Sequence, residues 1–334
     1  MIIFRRTALF YIAVILILLN ILLFFLNIAI GDRYIPVNEV FKVLLGREGV
    51  ESNFIILELR LPRVLTGFLA GCGLALAGTI LQVITRNPLA SPGVIGINSG
   101  AAAAVVAIMV FVPSFSMKGL PWIAFGGAFA AATIIYIFSW RKGGMDSPAR
   151  MLLMGISLSA MTGALITYLL TVGNIFRVSQ ASIWMAGSLY GRTWEHVWPL
   201  LPWILILFLL LLSLTRRLDM FLLDGQSALG LGLRVETWRM LFILISVGLA
   251  GSAVSMVGTI GFVGLMAPHI AMYLVGHRSL IRLPISALIG GLIVMMADLV
   301  GRTGFAPFEV PAGLITAIIG APYMIYLLLK PRVL

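Results

Sequence analysis

Ala8-Leu9-Phe10-Tyr11-Ile12-Ala13-Val14-Ile15-Leu16-Ile17-Leu18-Leu19-Asn20-Ile21-Leu22-Leu23-Phe24-Phe25-Leu26-Asn27-Ile28-Ala29-Ile30 is a run of 23 residues without one charge. It is entered through Arg5-Arg6 and left through Gly31-Asp32-Arg33. Roughly 20 apolar residues let a helix cross a bilayer. A secretory signal instead has an apolar core of about 7–15 residues and a small-residue cleavage site. This run is too long and its exit offers no such site, so a retained first membrane span is expected.

The rest of the chain repeats the pattern. Of 334 residues, 61% are hydrophobic and only 10% charged, with a mean hydropathy of +1.10. A soluble domain is nearer half apolar and a quarter charged, so the bulk solvent must be lipid. The expected fold is an all-α polytopic membrane protein, one transmembrane domain over 1–334. Ten spans are predicted, at 8–30, 64–84, 94–112, 122–140, 151–170, 197–214, 240–256, 260–275, 284–300 and 310–329. The stretch 260–275 is short and carries Gly261, Gly264 and Pro268. A broken or re-entrant helix is its other reading, tolerable only where protein covers the freed backbone groups. Segment 31–63 is too polar to span, and Phe41-Lys42-Val43-Leu44-Leu45 within it suggests a short amphipathic helix on the membrane surface.

An even number of spans puts both termini on one side. With the N-terminus inside, the inner segments hold 14 basic residues against four acidic ones, and the outer side nine against eight. That asymmetry predicts a multi-pass protein of the cytoplasmic membrane with cytoplasmic termini. It also accounts for the net charge of +11 without nucleic acid. Gly73-Leu74-Ala75 precedes Pro92 by about the interval at which Gly248-Leu249-Ala250 precedes Pro268. The first segment runs inward and the second outward, as an inverted repeat would. The pairs Gly73/Ala77 and Gly313/Ala317 permit close helix approach.

Little here can do covalent chemistry. Cys72 is the one cysteine, and His196, His269 and His277 lack ligand spacing, so no metal site is expected. No lysine is followed by Ser or Thr, so the phosphate-binding loop G-x-x-x-x-G-K-[ST] is absent, and any ATP must bind another chain. Asp298 lies within or near a span, where an acid can relay protons; Arg302, four residues on, can instead pair with it. Trp184 and Met185 follow Arg177 and Gln180 in a polar outer segment and could line a vestibule. The longest inner segment, 216–239, contains a glycine-broken leucine stretch that either rests on headgroups or docks a cytoplasmic partner.

The order of the motifs is more specific than any one of them. Leu59-Arg60-Leu61-Pro62-Arg63 is followed by Arg86-Asn87-Pro88-Leu89-Ala90-Ser91-Pro92-Gly93, and that by Gly96, Asn98, Ser99 and Gly100. Ala228-Leu229-Gly230-Leu231-Gly232 lies in the inner loop. Gly261-Phe262-Val263-Gly264-Leu265-Met266-Ala267-Pro268-His269-Ile270, Ala297-Asp298-Leu299-Val300-Gly301-Arg302 and Glu309-Val310-Pro311-Ala312-Gly313 complete the set. Over nearly its whole length the chain resembles the FecCD-type permease subunits of ABC importers for iron–siderophores, haem and cobalamin.

That resemblance implies the type II importer architecture: ten helices per subunit, a second permease subunit, identical or related, two cytoplasmic ATPase subunits that bind ATP and Mg, and an extracytoplasmic substrate-binding protein. It implies that Arg60, Arg63 and Arg302 engage acidic residues of the binding protein, and that Asn87 and Leu89 form a cytoplasmic gate. Gln226, Ser227, Ala228, Leu229, Gly230, Leu231 and Gly232 would form the coupling helix received by the ATPase. Pro148-Ala149 stands where some members carry small hydroxyl residues. Asn98, Trp184 and Met185 are candidates for lining the pathway. The expected function is translocation of an iron(III)–siderophore complex, with no cofactor and no catalysis in this chain. Haem or cobalamin import, and a proton-coupled transporter using Asp298, are the alternatives.

Overall fold

The computed structural model describes residues 2–31, 33–46, 52–112, 114–139, 148–223, 230 and 234–329. In chain order α1 is Ile2–Ala29, α2 Val37–Leu44, α3 Leu61–Thr85, α4 Ile97–Phe111, α5 Leu120–Ser139, α6 Pro148–Val172 and α7 Ile175–Met185. Then come α8 Trp194–Ser213, α9 Thr215–Asp219, α10 Val235–Val257, α11 Val263–Val275, α12 Ser279–Thr303 and α13 Ala312–Leu329. Among the described residues, eight helices are long and apolar enough to cross a bilayer. The shorter apolar α4 and α11 occupy the third and eighth predicted positions. At 1.5 Å per residue they fall short of a hydrocarbon core of about 30 Å. Each follows a long helix through a non-helical break, 86–96 before α4 and 258–262 before α11.

The long partners of the two short helices form the centre. Helices α3 and α10 are apolar on nearly every side and buried on nearly every side, as an all-round hydrophobic helix must be. Gly73 of one Gly-Leu-Ala triplet lies against the Leu249 carbonyl of the other, 3.0 Å from where a Cβ would stand. Gly71 meets the backbone of Gly290 and Gly78 that of Gly264, each so closely that a Cβ would overlap carbonyl atoms. Glycine there is a condition of the helix crossing. The first break also reaches the start of the second short helix, because Pro92 packs on Gly264 in the first turn of α11, which itself lies on the Leu74 carbonyl. Ala90, Pro92, Ile95 and Gly96 of the first break and Gly258 and Ile260 of the second are buried, the cover that non-helical backbone within a bilayer requires.

Around this centre α1, α5, α6, α8 and α13 present exposed apolar side chains such as Phe10, Leu18, Phe138, Ile206 and Tyr326. Helix α1 is held to α12 by two polar stitches. Asn20 donates to the Leu288 carbonyl at 3.2 Å and Asn27 to the Met295 carbonyl at 3.3 Å. Both the donors and the acceptors are seven residues apart, so the same helix faces meet at each. The amphipathic helix expected near Phe41 is α2, whose Val40 and Val43 are buried. Helix α3 is entered through a π segment, Ile55–Arg60, at the point where Pro62 has no N–H to donate.

Candidate functional site

Arg60, Arg63 and Arg302 converge at the end of the bundle that the charge bias assigns outward. They line one cavity of about 400 Å³ together with Arg33, Arg192 and Glu309. The last carbonyls of α1 have no partner within their helix, and here that end is buried. Arg60 supplies donors, with Nη1 reaching the Ile28 carbonyl at 2.6 Å and the Ala29 carbonyl at 3.0 Å. Its Nη2 reaches the Arg33 carbonyl. Arg302 Nη2 donates to the carbonyl and side-chain oxygens of Asn27. Two cations thus cap a helix C-terminus, which also suits the helix dipole.

Arg63 is gripped differently. Its Nε and Nη2 lie 3.0 and 2.8 Å from the two oxygens of Asp298. Its Nη1 and Nη2 lie 3.2 and 2.9 Å from those of Glu309. The pairing expected within α12 is present as a loose ion pair: Arg302 Nε stands 4.0 Å from Asp298 and makes no hydrogen bond. The four-residue spacing does bring the two side by side. The fork of Arg302 is drawn to α1, and the bidentate place on Asp298 goes to Arg63. Both carboxylate oxygens of Asp298 thus accept from that guanidinium.

The loop between α7 and α8 closes the cavity from the side. Arg192 Nε donates to the Ser188 carbonyl at 3.2 Å, and Nη1 lies 3.0 Å from His196 Nε2. Burial lowers the Arg192 pKa to about 10, still charged at neutral pH. Among the described residues, five arginines of the lining stand against Glu309 and the adjoining Asp298.

At the opposite end, Arg86 ends α3 in the left-handed conformation at φ 50° and donates Nε–H to the Phe221 carbonyl at 2.7 Å. Asn87 Oδ1 accepts the Leu89 N–H at 2.9 Å, an Asx turn that sets the bend of the 86–96 break. Leu89 is half-buried in that turn. The expected coupling residues Gln226, Ser227, Ala228, Leu229, Leu231 and Gly232 lie outside the described residues. Gly230 is exposed, with open space around it. The described flanks of this loop are braced by Arg217 stacked 3.9 Å over the Trp238 ring and by the 2.8 Å pair of Arg239 with Glu236.

Of the pathway candidates, Asn98 sits half-buried in the first turn of α4, and its Oδ1 is buried without a hydrogen-bond partner. Trp184 is a correction: at 8% exposure it belongs to the main core and does not present its ring to a vestibule. The carbonyls of Trp184 and Met185 buttress the 258–262 break, Trp184 against Gly258 and Met185 by accepting from Thr259 Oγ1. Arg192, Asn20 and Asn27 were not singled out in the sequence, and Glu309 was quoted only as the head of its motif, without a role. The asparagines had a signal, two polar residues seven apart in an uncharged run; Arg192 had none beyond its charge.

A profile of the FecCD transport family matches residues 17–330. The "Probable siderophore transport system permease protein YfhA" of Bacillus subtilis (strain 168) is 45% identical over 314 residues, 92% of this chain and 91% of its own. The Fe(3+)-citrate import system permease protein YfmE of the same organism is 44% identical, covering 96% and 94%. Its iron(3+)-hydroxamate import system permease protein FhuG is 39% identical, covering 94% and 95%. A solved structure described as "An inward-facing conformation of a putative metal-chelate type ABC transporter" superposes with a TM-score of 0.83. It shares 30% identity and covers 98% of this chain and 99% of its own.

Proposed function

The chain belongs to the FecCD transport family as a membrane permease subunit of an ABC importer, and from that premise we propose that its cargo is an iron(III)–siderophore complex. The observation that carries this reading is the near end-to-end match to three permeases whose names assign them siderophore, ferric citrate and ferric hydroxamate. The cargo is iron held by an organic chelator, so the protein needs no metal ligands of its own.

The work is divided as follows. Two ATPase subunits on the cytoplasmic face supply ATP hydrolysis and push on the 216–239 loop. A second permease subunit completes the pathway, and a substrate-binding protein delivers the chelate to the outer end. The termini lie in the cytoplasm. The cationic outer cavity supports docking against carboxylates, with Arg60, Arg63 and Arg302 acting through its field, since their forks already hold partners in this chain. Asn87 and Leu89 act at the inner gate by reshaping the turn they form. Closure of the ATPases shifts the bundle between outward- and inward-open populations.

Co-purification from the native membrane under iron limitation tests the assignment. The expected companions are an ATPase, a substrate-binding protein and a ferric chelate. Recovery with haem or cobalamin instead, or without any ATPase, overturns it.

A further inference from the structure

Arg282 is the largest of the fully buried side chains, 2% exposed, on the first turn of α12 and so at the end of a membrane span. Its described partners are neutral. Nη2 donates to Gln82 Oε1 at 2.6 Å, and Nε reaches the Pro268 carbonyl at 3.4 Å. Gln82 is itself pinned by donating Nε2–H to the Leu265 carbonyl at 3.2 Å, which fixes the amide that orients the guanidinium. Among the described residues no carboxylate lies within ion-pair reach of Arg282. Asp219, the acid nearest in effect, uses Oδ1 to accept the Ser279 N–H at 2.9 Å. The Nη1 of Arg282 has no described partner, and it is not among the sealed, unpartnered atoms.

That open edge borders a cavity of about 220 Å³ lined by Gln82, Arg86, His277 and Arg282 on its polar side and by Leu222 and Met272 among its apolar residues. Among the described lining residues there is no acid. Arg86 and His277 are exposed at the rim, while Arg282 lies beneath them. A buried charge left uncompensated is costly, and ionisable groups at membrane depth usually have a counter-ion that explains them. Arginine offers a fork matched to phosphate oxygens. The volume is below the roughly 300 Å³ where small-molecule pockets begin, so it suits a headgroup-sized anion and not an iron chelate. Basic pockets between helices at the cytoplasmic boundary take anionic lipid headgroups.

We propose that this cavity is a phosphate-binding site in which Arg282, oriented by Gln82, meets the anion and Arg86 and His277 close over it. The phosphate comes either from an anionic phospholipid or from free phosphate in the cytoplasm. The site is independent of the cargo and of the docking roles assigned above, and depends only on the chain's standing in a membrane.

The test uses the full chain purified in a neutral detergent and phosphate-free buffer. It is titrated with dioctanoyl phosphatidylglycerol, with dioctanoyl phosphatidylcholine as the net-neutral control, and separately with sodium phosphate against sodium chloride at equal ionic strength. Binding is read as a dissociation constant from thermal stabilisation. The anionic lipid or free phosphate should bind, and Arg282→Gln should weaken it about fivefold or more, the scale of one basic contact. Because Arg282→Gln can disturb folding, the rim double variant Arg86→Gln/His277→Gln is measured beside it and should show at least the same loss. Lipid binding that free phosphate does not displace identifies the headgroup as the source; phosphate binding without lipid binding identifies the free anion. Two results overturn the site: binding of neither anion, or equal binding by wild type and rim variant. Weakened ATPase association in the variants without anion binding would also overturn it, since the cavity would then hold a protein carboxylate.

Discussion

Arg63 carries the outer cavity's architecture on one side chain. It joins α3 to Asp298 on α12 and to Glu309 beyond it, with Asp298 only 4% exposed. Removing one member of a buried pair costs about 3–5 kcal/mol, because the remaining charge is stranded. Arg63→Ala should therefore destabilise the permease by at least about 2 kcal/mol, and Asp298→Asn by a similar amount. The double variant should lose much less than the sum, since neither charge is then orphaned. Melting of the three variants in detergent measures this. If Arg63→Ala weakens the binding-protein complex while melting as wild type does, the side chain serves the partner and not the bundle. A charge reversal at this position mixes the two roles, so the truncation series is the cleaner probe.

At the scale of elements, the sequence carries the fold further than it carries the contacts. All ten expected segments are helical, and the doubtful one, 260–275, is broken where Gly261 sits and helical from Val263. Apolar runs and glycine signals are local, which is why they are legible. The Arg63–Asp298 pair spans 235 residues, and nothing local marks it; the four-residue spacing within α12 marks only the looser Asp298–Arg302 ion pair. Trp184 shows the same limit, since a tryptophan among polar neighbours reads as a lining residue until its helix is docked. The glycines of α3 make a sharper case. Gly71→Ala and Gly78→Ala force a methyl into the Gly290 and Gly264 backbones, and overpacking of this kind costs about 1–3 kcal/mol. Gly163, on α6, has nothing within 4 Å, so Gly163→Ala should be neutral or gain up to about 1 kcal/mol of helix propensity. Equal melting of all three variants would show that the α3 crossings are looser than described.

On the scale of the whole molecule, one buried pair of helices, α3 and α10, supports two short helices, and the break before α4 packs through Pro92 on Gly264 at the start of α11. Such an arrangement buries much of the non-helical backbone and the unpartnered Asn98 side-chain carbonyl within the bundle, where only protein or a pathway can cover them. The two ends of the bundle differ in chemistry: a cavity of arginines at one, and a loop braced by Arg217 and Arg239 at the other. A permease that only changes shape needs such asymmetry, because the partners that bring the cargo and spend the ATP must find opposite faces.

The central claim is that this shape change is driven by ATP on the face that carries the 216–239 loop. The direct measurement is uptake of a radiolabelled ferric siderophore by proteoliposomes holding the chain with its co-purified partners, loaded or not with ATP and with or without an uncoupler. The account predicts uptake that requires ATP on the loop-bearing side, persists when the proton gradient is collapsed, and is absent from vesicles holding the chain alone. Uptake without ATP that vanishes with the proton gradient would contradict it and return Asp298 to the centre of the mechanism.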